Sequence, residues 1–388
     1  MSRIALKPRN FPWFDYSRYT FSLGLQAGSR TLLSGHSASE YDPPSGEIVV
    51  KGGMAEQART AWAKIATILE AGGKTFAEVV RVAEYVTTDG IERYAEAREI
   101  REEVLGAAHP AVNVVVVKRL LRPQAFIEIE VEAGAAAAAA SASLRAWSGC
   151  ATDGLVYLSS ILPLDDAGAV VRAGDVVGQA RAIYIRATRV LKEFGLDMSH
   201  VVKTVDYLTT AALPAYKDTG RVRRENFAPD FPAATGIIMP RVSHRDSMLQ
   251  VDFIASRHGR TVVNPGLGRY AQLTYSPAAR AGNMLFVSGM AALDPSSGIP
   301  VHAGDVVAQS TFVYENILRV VAAAGGGPEH LVKTVEYVTP TALPRYREVG
   351  GVRTRMLREP FPVSTGVVCE ALLRPEFQIE VDSVATLD

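Results

Sequence analysis

The chain has 388 residues, 48% of them apolar and 21% charged, with 41 lysines and arginines balanced by 41 aspartates and glutamates. That is an ordinary globular composition, and no basic run forms a stripe able to neutralise successive phosphates, which argues against a nucleic-acid partner. Cys150 and Cys369 suit neither a disulfide framework nor a zinc site, no His/Cys/Asp/Glu group has metal-ligand spacing, and no apolar stretch approaches the ~20 residues of a membrane span.

Met1 to Pro8 lacks the apolar core of a signal peptide, so the expected location is the cytoplasm.

The sequence then states one pattern three times. Val202-Lys203-Thr204-Val205-Asp206-Tyr207 returns as Val332-Lys333-Thr334-Val335-Glu336-Tyr337, with a looser copy at Val82 to Thr87. Tyr85 to Tyr207 is 122 residues, as are Gln57 to Gln179 and Pro110 to Pro232. Tyr207 to Tyr337 is 130, and Gln179 to Gln309 and Pro232 to Pro362 agree. Solenoid units run about 20 to 50 residues, so these periods are whole small domains. The boundaries are placed at 1–133, 144–256 and 262–388.

In repeat 1, Ala58, Trp62, Ile65 and Leu69 mark one face of a helix, and closing strands are expected at Val112 to Val117 and Phe126 to Val131. The alanine- and serine-rich Gly134 to Ser143 reads as a spacer. Repeat 2 runs from Leu155-Val156-Tyr157-Leu158-Ser159-Ser160 to Leu249–Ile254, and Arg257-His258-Gly259-Arg260 opens a second, shorter junction.

Repeat 3 is the cleanest copy. Met284 to Gly289 is a strand, Asp294 to Gly298 a turn, and Asp305 the cap of a helix with Val306, Phe312, Ile317, Val320 and Val321 on its apolar face. Gly325-Gly326-Gly327-Pro328 ends that helix, and Val332 to Val338 alternates as a strand. A second helix begins near Leu343-Pro344. Two strands finish the repeat, Ser364 to Ala371 and Phe377 to Val384, joined by the turn Arg374-Pro375-Glu376. Two helices per sheet give an α+β layer, and its other sheet face still needs burial. Three such faces turned inward would make a pseudo-threefold, trimer-like assembly within one chain, with no obligatory homotrimer of chains.

Several short motifs recur in order: Ser34-Gly35 and Ser288-Gly289, Phe231-Pro232-Ala233 and Phe361-Pro362-Val363, Phe126 to Glu130 and Phe377 to Asp382, with Tyr275-Ser276-Pro277-Ala278 ahead of repeat 3. Together they resemble the RidA (YjgF-type) family, whose chorismate-mutase-like domains form homotrimers with sites between protomers. The resemblance implies hydrolysis of reactive enamines and imines to ketones plus ammonia, with no metal and no organic cofactor. It also implies an arginine shortly after Phe-Pro-Ala that grips a substrate carboxylate. Val112, Ala234 and Ser364 stand at that position here.

By the same resemblance Glu128 and Glu380 match the glutamate that places the attacking water, and are the catalytic candidates; repeat 2 has Gln250 there, which cannot act as a base. Entry into a partly dry cleft would raise their pKa and suit them to general acid–base work. Ser34-Gly35 and Ser288-Gly289 could offer backbone N–H groups to an oxyanion. Thr235, Thr365 and Asn113 are the counterparts facing the same clefts. Tyr275 and His36 complete the substrate-binding candidates.

Arg101, Arg223 and Arg353 read as interlayer salt bridges, Tyr94, Tyr216 and Tyr346 as core, and Glu84, Asp206 and Glu336 as acids inside a strand. The leading reading is a cofactor-free enzyme, hydrolase- or deaminase-like, acting on a small polar molecule at an interdomain cleft. The alternatives are a non-catalytic binding or scaffold protein, and a cyclic-amide hydrolase resembling three-repeat cyanuric acid hydrolases. The last would need a Ser–Lys pair in each repeat, and Arg81 stands where Lys203 and Lys333 recur.

Overall fold

The computed structural model describes residues 3–135, 138–139 and 149–387. These build three α+β domains, each with its own mixed sheet. In repeat 2 the strands lie side by side in the order Gly149–Thr152, Leu155–Leu158, Leu249–Ser256, Val201–Thr209, Ala233–Met239. All neighbours are antiparallel except the last pair, which is parallel. Repeats 1 and 3 keep this order. The two closing strands of each repeat are therefore not neighbours: in repeat 3 the central strand, Leu331–Val338, lies between Val363–Val368 and Ile379–Thr386. An opening hairpin strand that the sequence pattern did not reveal, Ala278–Ala281, precedes Met284–Ala291.

One helix of 18 residues crosses each sheet, at Met54–Ala71, Val176–Glu193 and Val306–Ala323. Asp175 and Asp305 cap the second and third through their carboxylates. Glu56 instead reaches back to the Gly53 N–H at 2.8 Å in the first. On the third helix Val313 and Tyr314 are buried and Phe312 is only partly so, one position off the expected face.

The recurring glutamines clamp the start of the final strand. Gln57 Oε1 accepts from the Phe126 N–H at 2.7 Å, Gln179 Oε1 from Met248 at 2.9 Å and Gln309 Oε1 from Gln378 at 2.7 Å. Those three N–H groups lie two residues before Glu128, Gln250 and Glu380. A buried amide therefore fixes the strand that carries each candidate.

Strand alternation divides the central strands between two environments. Asp206 and Leu208 face the helices of repeat 2, while Lys203, Val205 and Tyr207 face the other repeats. One apolar cluster joins all three sheets, with Tyr85, Val115 and Val117, Tyr207 and Ile237, and Tyr337 and Val367. The Tyr207 and Tyr337 hydroxyls lie 3.1 Å apart. Arg119–Leu120 of repeat 1 adds a strand to the sheet of repeat 3.

The second junction is the longer one, from Ser256 to Ala278 against Ala133 to Gly149, which reverses the expectation. It starts at an anchor: Arg260 donates to the carbonyls of Asp230, Met198, Ser199, Val201 and Phe227. Much of the expected spacer at 134–143 lies outside the described residues, but Ala138 and Ala139 pair with Ala151 and Cys150 as a strand.

Lys333 of repeat 3 is buried and bonds Glu130 and, at 2.7 Å, Glu132 of repeat 1. Lys333→Met removes one of the two cations, Lys333 and Arg81, that bond those carboxylates, and should cost about 3 kcal/mol in urea unfolding, the low end for a broken buried pair. A loss within measurement error would show that this boundary contributes nothing to stability.

Candidate functional site

The boundary between repeats 2 and 3 holds a cavity of about 520 Å³ whose walls include Ala234, Thr235, Tyr275, Gly289 and Glu380. Thr235 comes from the parallel edge strand of repeat 2, and Gly289 and Glu380 from neighbouring strands of repeat 3. The strand pairing shifts register between Val287 and Met290. A Cβ on Gly289 would collide with Glu380 Oε1, so the glycine is what lets the carboxyl lie against the backbone.

Behind Thr235 lies a buried charged set. Thr235 Oγ1 donates to Asp382 Oδ2 at 2.6 Å, and Lys203 Nζ sits 2.8 Å from the same carboxylate while donating to the Val287 carbonyl at 2.6 Å. Glu380 is buried and has no such cation against it. Burial, then the nearby Asp382 charge, push its carboxyl up to about 8, with Lys203 pulling the other way. It is therefore protonated at neutral pH yet close enough to neutrality to exchange a proton.

The boundary between repeats 3 and 1 repeats the arrangement. A Cβ on Gly35 would collide with Glu128 Oε1, the Gly35 N–H donates to Thr365 Oγ1 at 3.0 Å, and Thr365 donates to Glu130 at 2.7 Å. Burial also raises Glu128, although its side chain is more exposed than that of Glu380. Near it Lys64 donates to the Ser37 carbonyl at 2.7 Å and lies over the Trp13 and Phe14 rings. Burial pushes that ammonium down to about 7.

The boundary between repeats 1 and 2 is tied shut. Gln250 Nε2 donates to the Val114 carbonyl at 2.8 Å and to Ser160 Oγ at 2.9 Å, and its Oε1 accepts from Ser243 Oγ at 2.6 Å. Asn113 accepts from Arg81 at 2.9 Å and donates to the Leu158 carbonyl at 3.1 Å. Gln250 and Asn113 are engaged by protein at both ends of their amides.

Three candidate sets take a different role from the one expected. Ser288 Oγ donates to the Ser276 carbonyl at 2.5 Å and accepts from the Ala234 N–H at 2.8 Å, while its own N–H bonds the Pro277 carbonyl. Ser34 does the same with Ser22, Ser364 and Leu23. Both serines staple neighbouring repeats through their hydroxyls. His36 is buried with Nε2 3.2 Å from the Leu23 carbonyl, and burial with the Lys64 charge drives its pKa to about 3.

Tyr94, Tyr216 and Tyr346 are not plain core either, since each donates its hydroxyl to the strand acid of its own repeat. Arg269 and Tyr270, which also line the cavity, went unnoticed because they belong to the long second junction. The eight-residue excess of the 130 offset over the 122 offset was the signal for it.

Comparison with known proteins accounts for the repeat. The family described as Endoribonuclease L-PSP matches at residues 16–135, 137–256 and 269–387. The chain belongs to this family, as three RidA/YjgF-type repeats in tandem. A single repeat of this RidA-family chain is 35% identical over 113 residues to protein DfrA of Myxococcus xanthus, covering 29% of this chain and 83% of the relative. It is 32% identical over 111 residues to the 3-aminoacrylate deaminase RutC of Acinetobacter baylyi, covering 29% and 85%. Over 80% of its length the chain also shares a fold with a chorismatase crystal structure, at 16% identity and a TM-score of 0.56, covering 93% of that chain. Among the described residues no group of three or more His, Cys, Asp or Glu could hold a metal ion, and no helix is long and apolar enough to cross a membrane.

Folded Glu380 keeps its proton up to about pH 8, whereas an unfolded carboxyl loses it near its ordinary 4.5. The folded state thus binds more protons between those values, and the stability from neutral Glu380 is lost as pH rises through 8. Glu380→Gln removes that loss. Its urea midpoint relative to the unaltered chain should therefore climb between pH 6 and pH 9; a difference independent of pH would refute the raised pKa.

Proposed function

We propose that the three domains pack about a pseudo-threefold axis, each in the place of one protomer of a trimer. Their boundaries are near 1–133, 144–256 and 262–388, and the cleft between repeats 2 and 3 hydrolyses the C–N bond of a small enamine or imine. The inward apolar cluster drawn from all three sheets supports the packing. The observation that carries the chemistry is Glu380, buried on the wall of a 520 Å³ cavity with its carboxyl raised to about 8. The activity named for the Acinetobacter relative, deamination of 3-aminoacrylate, supports C–N cleavage as the reaction class.

In this reading neutral Glu380 gives its proton to the substrate, at nitrogen for an imine or at the terminal carbon for an enamine, producing an iminium. The carboxylate so formed accepts a proton from water as the water oxygen attacks the iminium carbon. That proton passes to nitrogen, the C–N bond breaks, and a carbonyl compound and ammonia leave. The reaction balances as imine plus water to carbonyl plus ammonia, with Glu380 restored after deprotonation of the carbinol oxygen. Thr235, held by Lys203 and Asp382, orients the substrate beside it.

Glu128 stands in the same surroundings at the boundary between repeats 3 and 1 and is the second catalytic candidate. The boundary between repeats 1 and 2 has Gln250 and is assigned no turnover.

Ammonia release from imines generated in situ from amino acids tests this. Glu380→Gln should lower turnover by about 10²-fold or more, the usual scale for a general acid or base, and added chelator should have no effect. Full activity of Glu380→Gln combined with Glu128→Gln would reject both glutamates as catalysts.

A further inference from the structure

The closing segments of the three repeats align residue for residue, from Pro110, Pro232 and Pro362 to Glu130, Asp252 and Asp382. Two positions in that run separate the boundaries. The first holds Val114, Gly236 and Gly366 on the parallel edge strands, and the second holds Leu121, Ser243 and Leu373 in the turn that follows. At the boundary between repeats 1 and 2, Val114 and Ser243 are both tied to Gln250, through a carbonyl at 2.8 Å and a hydroxyl at 2.6 Å. At the boundary between repeats 2 and 3, Gly236 and Leu373 meet each other instead. A Cβ on Gly236 would lie 3.4 Å from Leu373 Cδ1 and 2.9 Å from the Tyr216 hydroxyl. The glycine therefore leaves room for the leucine of one repeat to lie against the edge strand of the other.

Leu373 lines the cavity and is 42% exposed, so a large apolar side chain stands open beside Glu380. Met290, Phe377, Tyr270 and Tyr275 line the same cavity, and the two tyrosines meet edge to face with ring centroids 5.5 Å apart. Cavities of about 300 to 1,000 Å³ hold ligands of drug size, so a small aliphatic enamine would leave most of this one empty. The boundary between repeats 3 and 1 keeps Leu121 against Gly366. There, however, His36 and Lys64 stand at the positions that Met290 and Asn316 hold on the cavity wall. The leucine is backed by an apolar wall only between repeats 2 and 3.

We propose that Leu373, seated on Gly236, is the specificity-determining residue of this cleft, and that its substrate carries an aromatic ring beside the imine or enamine carbon. The proposal rests on the hydrolytic reading of the cleft and adds the group that the substrate bears away from the C–N bond. A ring against Leu373 removes from water the apolar surface that the leucine exposes in the free chain. A thioether such as that of Met290 favours the edge of a ring, and aromatic side chains pack on rings edge to face or offset.

Benzoate and acetate share a carboxylate and differ by the ring, so calorimetry of each with the full chain tests the proposal without turnover. Benzoate should bind about tenfold tighter or more, the scale for burying a large apolar group. Leu373→Ser, which installs the residue of the closed boundary, should weaken benzoate by about tenfold and leave acetate unchanged. Because Leu373 is exposed, that change leaves the core intact. Leu121→Ser, the matched change between repeats 3 and 1, should leave benzoate affinity as it is. With imines generated from phenylalanine and from alanine, Leu373→Ser should raise KM for the first by about tenfold, with kcat and the alanine-derived imine unaffected. Glu380→Gln should still prefer benzoate to acetate even where its turnover is lost, which separates this claim from the catalytic one. Benzoate binding no tighter than acetate would overturn the aromatic class. Unchanged benzoate affinity in Leu373→Ser, or an equal loss in Leu121→Ser, would overturn the role of Leu373.

Discussion

A buried cation beside a carboxylate, with a hydroxyl or amide between repeats, is the constraint on which the rest of the molecule depends. Lys203, Thr235 and Asp382 form it at one boundary, and Lys333, Thr365 and Glu130 at the next. Such groups tolerate burial only when fully paired, so the repeats are held in a register that satisfies them. The acid of each set stands two residues after a catalytic candidate on the same strand. The packing that buries Asp382 therefore also delivers Glu380 to the cavity, and the neighbouring negative charge helps keep Glu380 neutral.

The third boundary shows what happens when the same positions change. Arg81, Asn113 and Asp252 replace the lysine, threonine and acid, and Gln250 replaces the glutamate. Asp252 then accepts from Ser160 at 2.6 Å, and the amides of Gln250 and Asn113 bridge the boundary themselves, to the Val114 and Leu158 carbonyls. The Gln250 amide nitrogen donates to the Val114 carbonyl of repeat 1 while its oxygen accepts from Ser243 of repeat 2, so one side chain links the two repeats. Fusing three copies in one chain permits this division of labour: one boundary can become structural while another keeps a cavity.

Much of the fold was legible because it follows from periodicity and repetition. Gln57, Gln179 and Gln309 served as landmarks for the offset, and each proves to be the clamp on a final strand. Glu128 and Glu380 were legible through short motifs at fixed places. Other features needed three dimensions. Ser34 and Ser288 are conspicuous beside glycine, yet their N–H and O–H groups are engaged by backbone from the neighbouring strand and repeat, which no local pattern reveals. The difference between Ser243 and Leu373 is visible in the sequence, but its consequence is not, because it depends on Gly236 of the neighbouring repeat lying against the leucine. Arg269 was illegible for another reason: it lies between Thr261–Val263 and Ala278–Ala281, ahead of the recurring motifs, so they did not point to it.

The three boundaries differ in their side chains, and the one between repeats 2 and 3 holds the cavity lined by Glu380. Crystals of the full chain soaked in sodium benzoate test it most directly. Ordered benzoate is expected in a single place, the cavity that holds Thr235 and Glu380. Equal occupancy there, beside Thr365 and Glu128, and beside Asn113 and Gln250 would contradict it.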